Sequence, residues 1–437
     1  MKKFSCFFVV VVMMSLVVSS AYAVTEIQWW HAMGGRLGEK VDAIAAGFNS
    51  SQSDYKVVAV FKGSYAETMT AGIAAFRSKE PPHILQVFEV GTATMMAAKG
   101  AIKPVYELMA ETGEPFDPNA YLSTVTGYYS TSEGKMLSMP FNSSTPILYY
   151  NKEAFAKAGL DVNTPPKTWP EVEECAKKLV AAGHECGFST AWTSWIQMEN
   201  FSAWHNLPIG TKANGFGGFD TEFVFNNPVM VKHVQHLADW QKDKIFAYGG
   251  RTNTGNAKFS SGECAMYTES SAGYAGFKST AKFEFGTGML PYWPDVEGAP
   301  QNTIIGGASL WVMAGHSDEE YKGVAKFFSY LSSPEVQADW HQFSGYLPIT
   351  VAAYELTKSQ GFYDKNPGTE TPLLQMMLHD PTDNSRGIRF GSFVQMRDIM
   401  DDTFEAIFSG QKTAQQGLDD AVAAGNDLLR KFEAANK

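Results

Sequence analysis

The sequence predicts two α/β lobes that face each other across a cleft, and three observations predict it. Strand and helix patterns alternate along most of the chain, as in sheets covered by helices on both faces. At 437 residues the chain is too long for one ordinary domain. No internal repeat, heptad run or low-complexity linker separates its parts, so the lobes are expected to join through short crossings that act as a hinge.

The amino terminus decides the compartment. Lys2 and Lys3 precede an apolar run from Phe7 to Val18, and Ala21-Tyr22-Ala23 supplies an A-x-A cleavage site. This layout marks residues 1–23 as a secretory signal peptide, with the mature chain starting at Val24. The run is short for a bilayer span, which needs roughly 20 residues. Cys6 lies before the run, not just after the cleavage point, which argues against a lipid tether. Losing the two leader lysines takes the formal charge from -11 to -13. A surface that acidic argues against nucleic acid as a partner but not against one anion held by local donors. Cys175, Cys186 and Cys264 survive cleavage, and in an oxidising compartment an odd number leaves at least one unpaired. A Cys175–Cys186 bridge and three buried thiols both stay open. A zinc site from His184 and Cys186 lacks a second ligand pair.

Thr25 to Trp30 alternates as a strand, and Leu37, Val41, Ile44 and Phe48 then fall at helical spacing. A strand over Tyr55 to Phe61, a helix over Tyr65 to Arg77 and a strand over His83 to Phe88 continue a parallel sheet. The alternation resumes with a strand at Ile147 to Tyr150 and helices at Lys152 to Ala158 and from Thr168, a plausible N-cap followed by Pro170 in the first turn. A strand begins around Cys186 to Thr190, a helix runs near Val229 to Lys242, and strands follow at Cys264 to Tyr267 and Ser309 to Met313. Helices close the chain over Glu319 to Leu331, Phe390 to Phe408 and Thr413 to Phe432. The lobes are expected to be 24–140 plus 309–350, and 141–308 plus 351–437.

Enzyme signatures are missing: there is no G-x-S-x-G elbow, P-loop or H-E-x-x-H. Gly215-Phe216-Gly217-Gly218 reads as a loop. His233 and His236, three apart on a helix, read as a solvated face in the absence of a third metal ligand. Polar residues instead collect at predicted strand ends: Tyr65 after Gly63-Ser64, Glu89 after Phe88, Ser144 after Pro140, Ser270 after Tyr267 and Gly307 before Ser309. Ligands in open α/β sheets bind at such ends, so these residues are expected to share one cleft.

Four blocks carry a family resemblance: Ile84-Leu85-Gln86-Val87-Phe88-Glu89-Val90-Gly91-Thr92-Ala93-Thr94-Met95-Met96, Pro140 to Pro146, Ile304 to Met313 and Ser344 to Thr350. They resemble the periplasmic sn-glycerol-3-phosphate-binding proteins, a branch of the maltose-binding-protein-like extracellular solute-binding proteins. The resemblance implies a periplasmic binding protein fold with two lobes, three hinge crossings and a ligand between them. It implies a non-enzymatic receptor for sn-glycerol-3-phosphate, with glycerophosphodiesters such as glycerophosphocholine as second ligands. It also implies a monomer without cofactor or metal, working with two ABC permease subunits and a cytoplasmic ATPase. Family ligand contacts map onto Tyr65, Glu89, Ser144, Ser270, Gly307, Tyr346 and Arg397.

The chemistry of those residues suits an anion with hydroxyls. Arg397 can give a phosphate two parallel charge-assisted bonds, while Ser144, Ser270 and the Gly307 backbone N–H add neutral donors. Tyr65 and Tyr346 present hydroxyls on rigid rings. Glu89 would repel phosphate and is expected at the far end, on the glycerol hydroxyls. Trp169 is expected either on the ligand's carbon backbone or in the core; Arg386 and Arg389 are expected as surface charges. A receptor for neutral sugars and a secreted hydrolase are the competing readings.

Overall fold

The computed structural model describes residues 24–131 and 133–436; the expected leader lies outside them. Among the described residues eleven strands follow in chain order: β1 (Thr25–His31), β2 (Tyr55–Phe61), β3 (Ile84–Phe88), β4 (Ile102–Lys103), β5 (Met139–Ser144), β6 (Pro146–Asn151), β7 (Cys186–Thr190), β8 (Phe246–Tyr248), β9 (Cys264–Ser270), β10 (Phe285–Gly288) and β11 (Gly306–Met313). They form two sheets. The first runs β2-β1-β3-β11-β4, with β5 also on β11, and the second runs β10-β6-β9-β7-β8.

Both sheets are mixed, not parallel throughout. β1, β2 and β3 are parallel, whereas β11 runs antiparallel to β3, β4 and β5. In the second sheet β7 is parallel to β8 and β9, and β6 is antiparallel to β9 and β10. The antiparallel strands flank the passages between sheets. β5 ends at Ser144 in the first sheet and β6 begins at Pro146 in the second, with Thr145 alone between them. The chain returns between Gly288 and Gly306. The turnovers expected at 140 and 309 therefore fall inside strands, because β5 and β11 zip together from Met139↔Leu310 through Ser144↔Gly306. The helix Val351–Ser359, expected in the second lobe, packs on the helix Pro334–Ser344 that precedes it.

The passages are tied by buried hydrogen bonds. Thr145 Oγ1 donates to Thr303 Oγ1 at 2.6 Å, and Gln375 Nε2 donates to the Pro146 carbonyl at 2.8 Å and to Thr303 Oγ1 at 3.1 Å. Around the first sheet the core is aromatic: Trp29 meets Phe141 edge-on at 5.2 Å, and Phe141 stacks on Trp340 at 4.9 Å. In the second, Cys186 and Cys264 sit opposite each other on the parallel neighbours β7 and β9, Cα atoms 4.7 Å apart, and form a disulfide. Among the described residues Cys175 is the free thiol. Neither expected cysteine arrangement holds, because the pairing depends on a strand register between segments far apart in the chain.

Two other expectations are corrected. His233 is fully buried, bonded to Gln197 and Trp293 and stacked on Phe201, because its side of the helix Pro228–Lys242 faces the core. Arg389 is buried too, donating from Nη2 to the carbonyls of Tyr128 and Ser130. Arg386 is half exposed and paired with Asp383. No helix of the described residues is long and apolar enough to cross a membrane.

Candidate functional site

A cleft of about 550 Å³ opens between the sheets, and Tyr65, Glu89, Ser144, Ser270, Gly307, Tyr346 and Arg397 all line it. Glu89, Ser144 and Ser270 come from the carboxyl ends of β3, β5 and β9, as the open-sheet rule requires. Gly307 departs from that rule: it sits at the start of β11, brought to the same place because β11 runs the other way.

Tyr65 is the first residue of the helix Tyr65–Arg77, set by a capping box between Ser64 and Glu67. Its ring stacks on Phe88 at 5.5 Å, and its hydroxyl accepts from Asn142 Nδ2 at 2.7 Å. Asn142 Oδ1 in turn accepts from Gln86 Nε2 at 2.7 Å, and Gln86 Oε1 accepts from the Ala32 N–H at 2.7 Å. This chain puts Asn142 on the protein side of the Tyr65 hydroxyl as a donor, and Tyr65 is hydrogen-bonded in turn to the neighbouring Tyr346 hydroxyl. Burial, with Tyr346 alongside, holds that hydroxyl well above the usual phenol range, so it stays a donor. Tyr346 stacks on Trp340 at 5.7 Å, continuing the aromatic column from Phe141.

Two glycines shape the floor. Gly307 has φ +94°, and a Cβ there would lie 1.8 Å from the Asn142 carbonyl oxygen. Only glycine fits, and the backbone is bare toward the cleft. A Cβ on Gly306 would strike the Trp195 ring at 2.4 Å.

Arg397, on the helix Phe393–Phe408, is bonded differently from the sequence expectation. Its Nε and Nη2 form a fork on Glu199, at 2.7 and 2.8 Å, and Nη2 also donates to Glu89 Oε1 at 2.5 Å. Glu89 is therefore in contact with Arg397, not at the opposite end of the cleft. A buried guanidinium needs counter-charge, and two carboxylates supply it. Burial pushes Glu199 up to about 7 while Arg397 pulls it down, and the guanidinium itself is held above its ordinary value. The fork uses both Glu199 oxygens as acceptors, which favours the ionised carboxylate while Arg397 is in place. Burial also pushes Asp401 up to about 6 and Glu269, at the end of β9, up to about 8.

Trp169 is not in the cleft. It is buried at the start of the helix Trp169–Ala181, packed against Phe188, His233 and Trp240. Trp192 and Trp195 line the cleft instead. Trp195 and Glu199 belong to Trp195–Asn200, wound as a π-helix, a geometry that recurs at functional sites. Sequence reading passed over Trp192, Trp195 and Glu199, whose only signal was two tryptophans just beyond a strand end.

Residues 43–371 match the family of bacterial extracellular solute-binding proteins. The chain belongs to that family. Relatives within it are much closer: the sn-glycerol-3-phosphate-binding periplasmic protein UgpB of Rhizobium meliloti is 57% identical over 411 residues, covering 94% of this chain and 95% of that one. The UgpB protein of Yersinia pseudotuberculosis is 54% identical over 420 residues, covering 96% and 95%. Among solved structures, UgpB from Mycobacterium tuberculosis in complex with glycerophosphocholine has TM-score 0.78 at 21% identity, covering 94% of this chain and 99% of that one. Maltose-bound MalE3 of T. maritima has TM-score 0.77 at 18% identity, covering 93% and 100%. These solute-binding proteins share the two-lobed α/β fold found here.

Proposed function

We propose that this solute-binding protein is a periplasmic receptor that captures sn-glycerol-3-phosphate between its lobes and delivers it to an ABC importer. The carrying observation is that Tyr65, Glu89, Ser144, Ser270, Gly307, Tyr346 and Arg397 converge on one cleft in a chain 57% identical to a protein named for that ligand. The ligand-contact roles of these seven residues, the permease and ATPase partners, the monomeric state and the absence of catalysis are parts of the same reading. Tyr65, Ser144, Ser270, Tyr346 and the Gly307 N–H supply donors around an anion, and Glu89 accepts from hydroxyls. Glycerol-3-phosphate has ten non-hydrogen atoms, so micromolar binding asks for about 0.8 kcal/mol per atom, below the ceiling of about 1.5 for very small ligands.

Glycerophosphocholine is a second ligand under this reading. Trp192 and Trp195 with Asp398 and Asp401 in the same cleft suit a quaternary ammonium group. Calorimetric titration of the mature chain with both phosphates, and with maltose as a parallel titrant, tests the assignment. One-to-one binding of glycerol-3-phosphate, alone or with the diester, supports it; silence with both, whatever maltose does, overturns it.

A further inference from the structure

Three arginines line the cleft: Arg36, Arg251 and Arg397. Two are already matched by carboxylates. Arg397 is held by Glu89 and Glu199, and Arg251 by Asp402 and Glu405 at 2.6 Å each. Arg36 forms no ion pair among the described residues, and its guanidinium rests over the Phe343 ring at 5.2 Å. The same cleft carries Glu89, Glu269, Asp398 and Asp401. An anion entering it therefore meets one cation whose charge is not spent.

Helix stability does not explain Arg36. It lies in the first turn of the helix Gly35–Ser51, where a positive charge opposes the helix dipole. That turn has no acidic residue and no side-chain cap. The side chain is exposed and rests against an aromatic face that also lines the cleft, so it can turn inward without breaking an ion pair.

Resting on the receptor reading above, we propose that Arg36 is a specificity-determining residue: it reads ligand net charge and favours dianionic phosphomonoesters over zwitterionic phosphodiesters. A phosphomonoester carries a charge of about -1.5 to -2 near neutral pH. A choline diester carries one negative charge offset by its own ammonium, so the same arginine gains less from it.

The test is calorimetry on wild type, Arg36→Gln and Arg36→Lys with glycerol-3-phosphate and glycerophosphocholine, at low and near-physiological ionic strength. Arg36→Gln is expected to weaken glycerol-3-phosphate roughly tenfold, the scale of one charged hydrogen bond, and to leave the diester within about twofold. Arg36→Lys is expected to restore most of the loss, and the salt dependence for the monoester is expected to shrink in Arg36→Gln. Equal affinities in wild type and Arg36→Gln, or an equal loss for both ligands, would overturn the proposal while leaving the receptor reading intact. Wild type silent to both phosphates would overturn both.

Discussion

Arg397 Nη2 meets Glu89 Oε1 at 2.5 Å, joining a helix packed beside the second sheet to the end of β3 in the first. The pair spans the floor of the cleft, and Glu199 completes it from the π-wound segment. An arginine compensated on two sides is as much a structural element as a ligand group.

Arg397→Ala should therefore cost stability as well as affinity. It leaves Glu89 and Glu199 buried without their cation, a change of about 3–5 kcal/mol for a broken buried pair. Urea unfolding should show that loss, and calorimetry a loss of glycerol-3-phosphate binding. Adding Glu199→Gln should recover part of the stability and none of the binding.

Glu269 should make the protein less stable at alkaline pH. Burial raises its folded value to about 8 from an ordinary 4.5. Between those values the folded state holds the extra proton, so stability falls as pH rises through the window and stays reduced above it. At about 1.4 kcal/mol per pKa unit the effect reaches several kcal/mol. Glu269→Gln should flatten the fall between pH 5 and 8.5 in parallel urea melts; an unchanged slope would assign the fall to other groups.

Gly307→Ala should damage the site from the backbone outward. The added Cβ meets the Asn142 carbonyl at φ +94°, so β5 and β11 must part where Asn142 holds Tyr65. A loss of more than tenfold in affinity, with a destabilisation of at least 1–3 kcal/mol, is expected. Titration together with thermal unfolding checks it.

The two tryptophan positions should separate cleanly. Trp169→Phe should leave ligand affinity within about twofold, since the ring lies in the core, and cost stability of the order of 1 kcal/mol or more. Trp192→Ala should do the reverse, with the larger change in titration.

Reduction should destabilise the second sheet. The Cys186–Cys264 bridge closes a loop with sequence separation 78, and bridges of this kind contribute about 2–4 kcal/mol. Unfolding with and without reductant should differ by that amount. Thiol counting on the unfolded, unreduced mature chain should find one group, Cys175. In the folded chain that thiol should react slowly, because burial pushes it up to about 11.

Much of the fold was legible locally. The strand Tyr55–Phe61, the helix Tyr65–Arg77 and the return to Ile84–Phe88 appear where alternation and helical spacing put them, because each reports its own buried face. Thr168 was readable as a cap from the helix-start residues beside it. The five residues expected at one cleft from their places near strand ends do line it, since strand ends are local features and the topology collects them; Tyr346 and Arg397, expected from the family resemblance alone, line it too. Trp169, left open between ligand and core, lies in the core: a tryptophan in a first helical turn looks the same in sequence whether it faces core or cleft.

The sequence by itself determined the order of most strands and helices, the leader-like amino terminus, the acidic balance and the residue types at those strand ends, all of which depend on neighbours within a few positions. Only the tertiary structure decided that Cys186 pairs with Cys264, that Arg389 and His233 are buried, that Glu89 binds Arg397, and that Arg36 is the cleft arginine without a carboxylate. Each depends on distances between segments many tens to hundreds of residues apart. Those distances are set by strand register and lobe packing, and charge compensation in a low-dielectric interior is decided by distance, not by residue type.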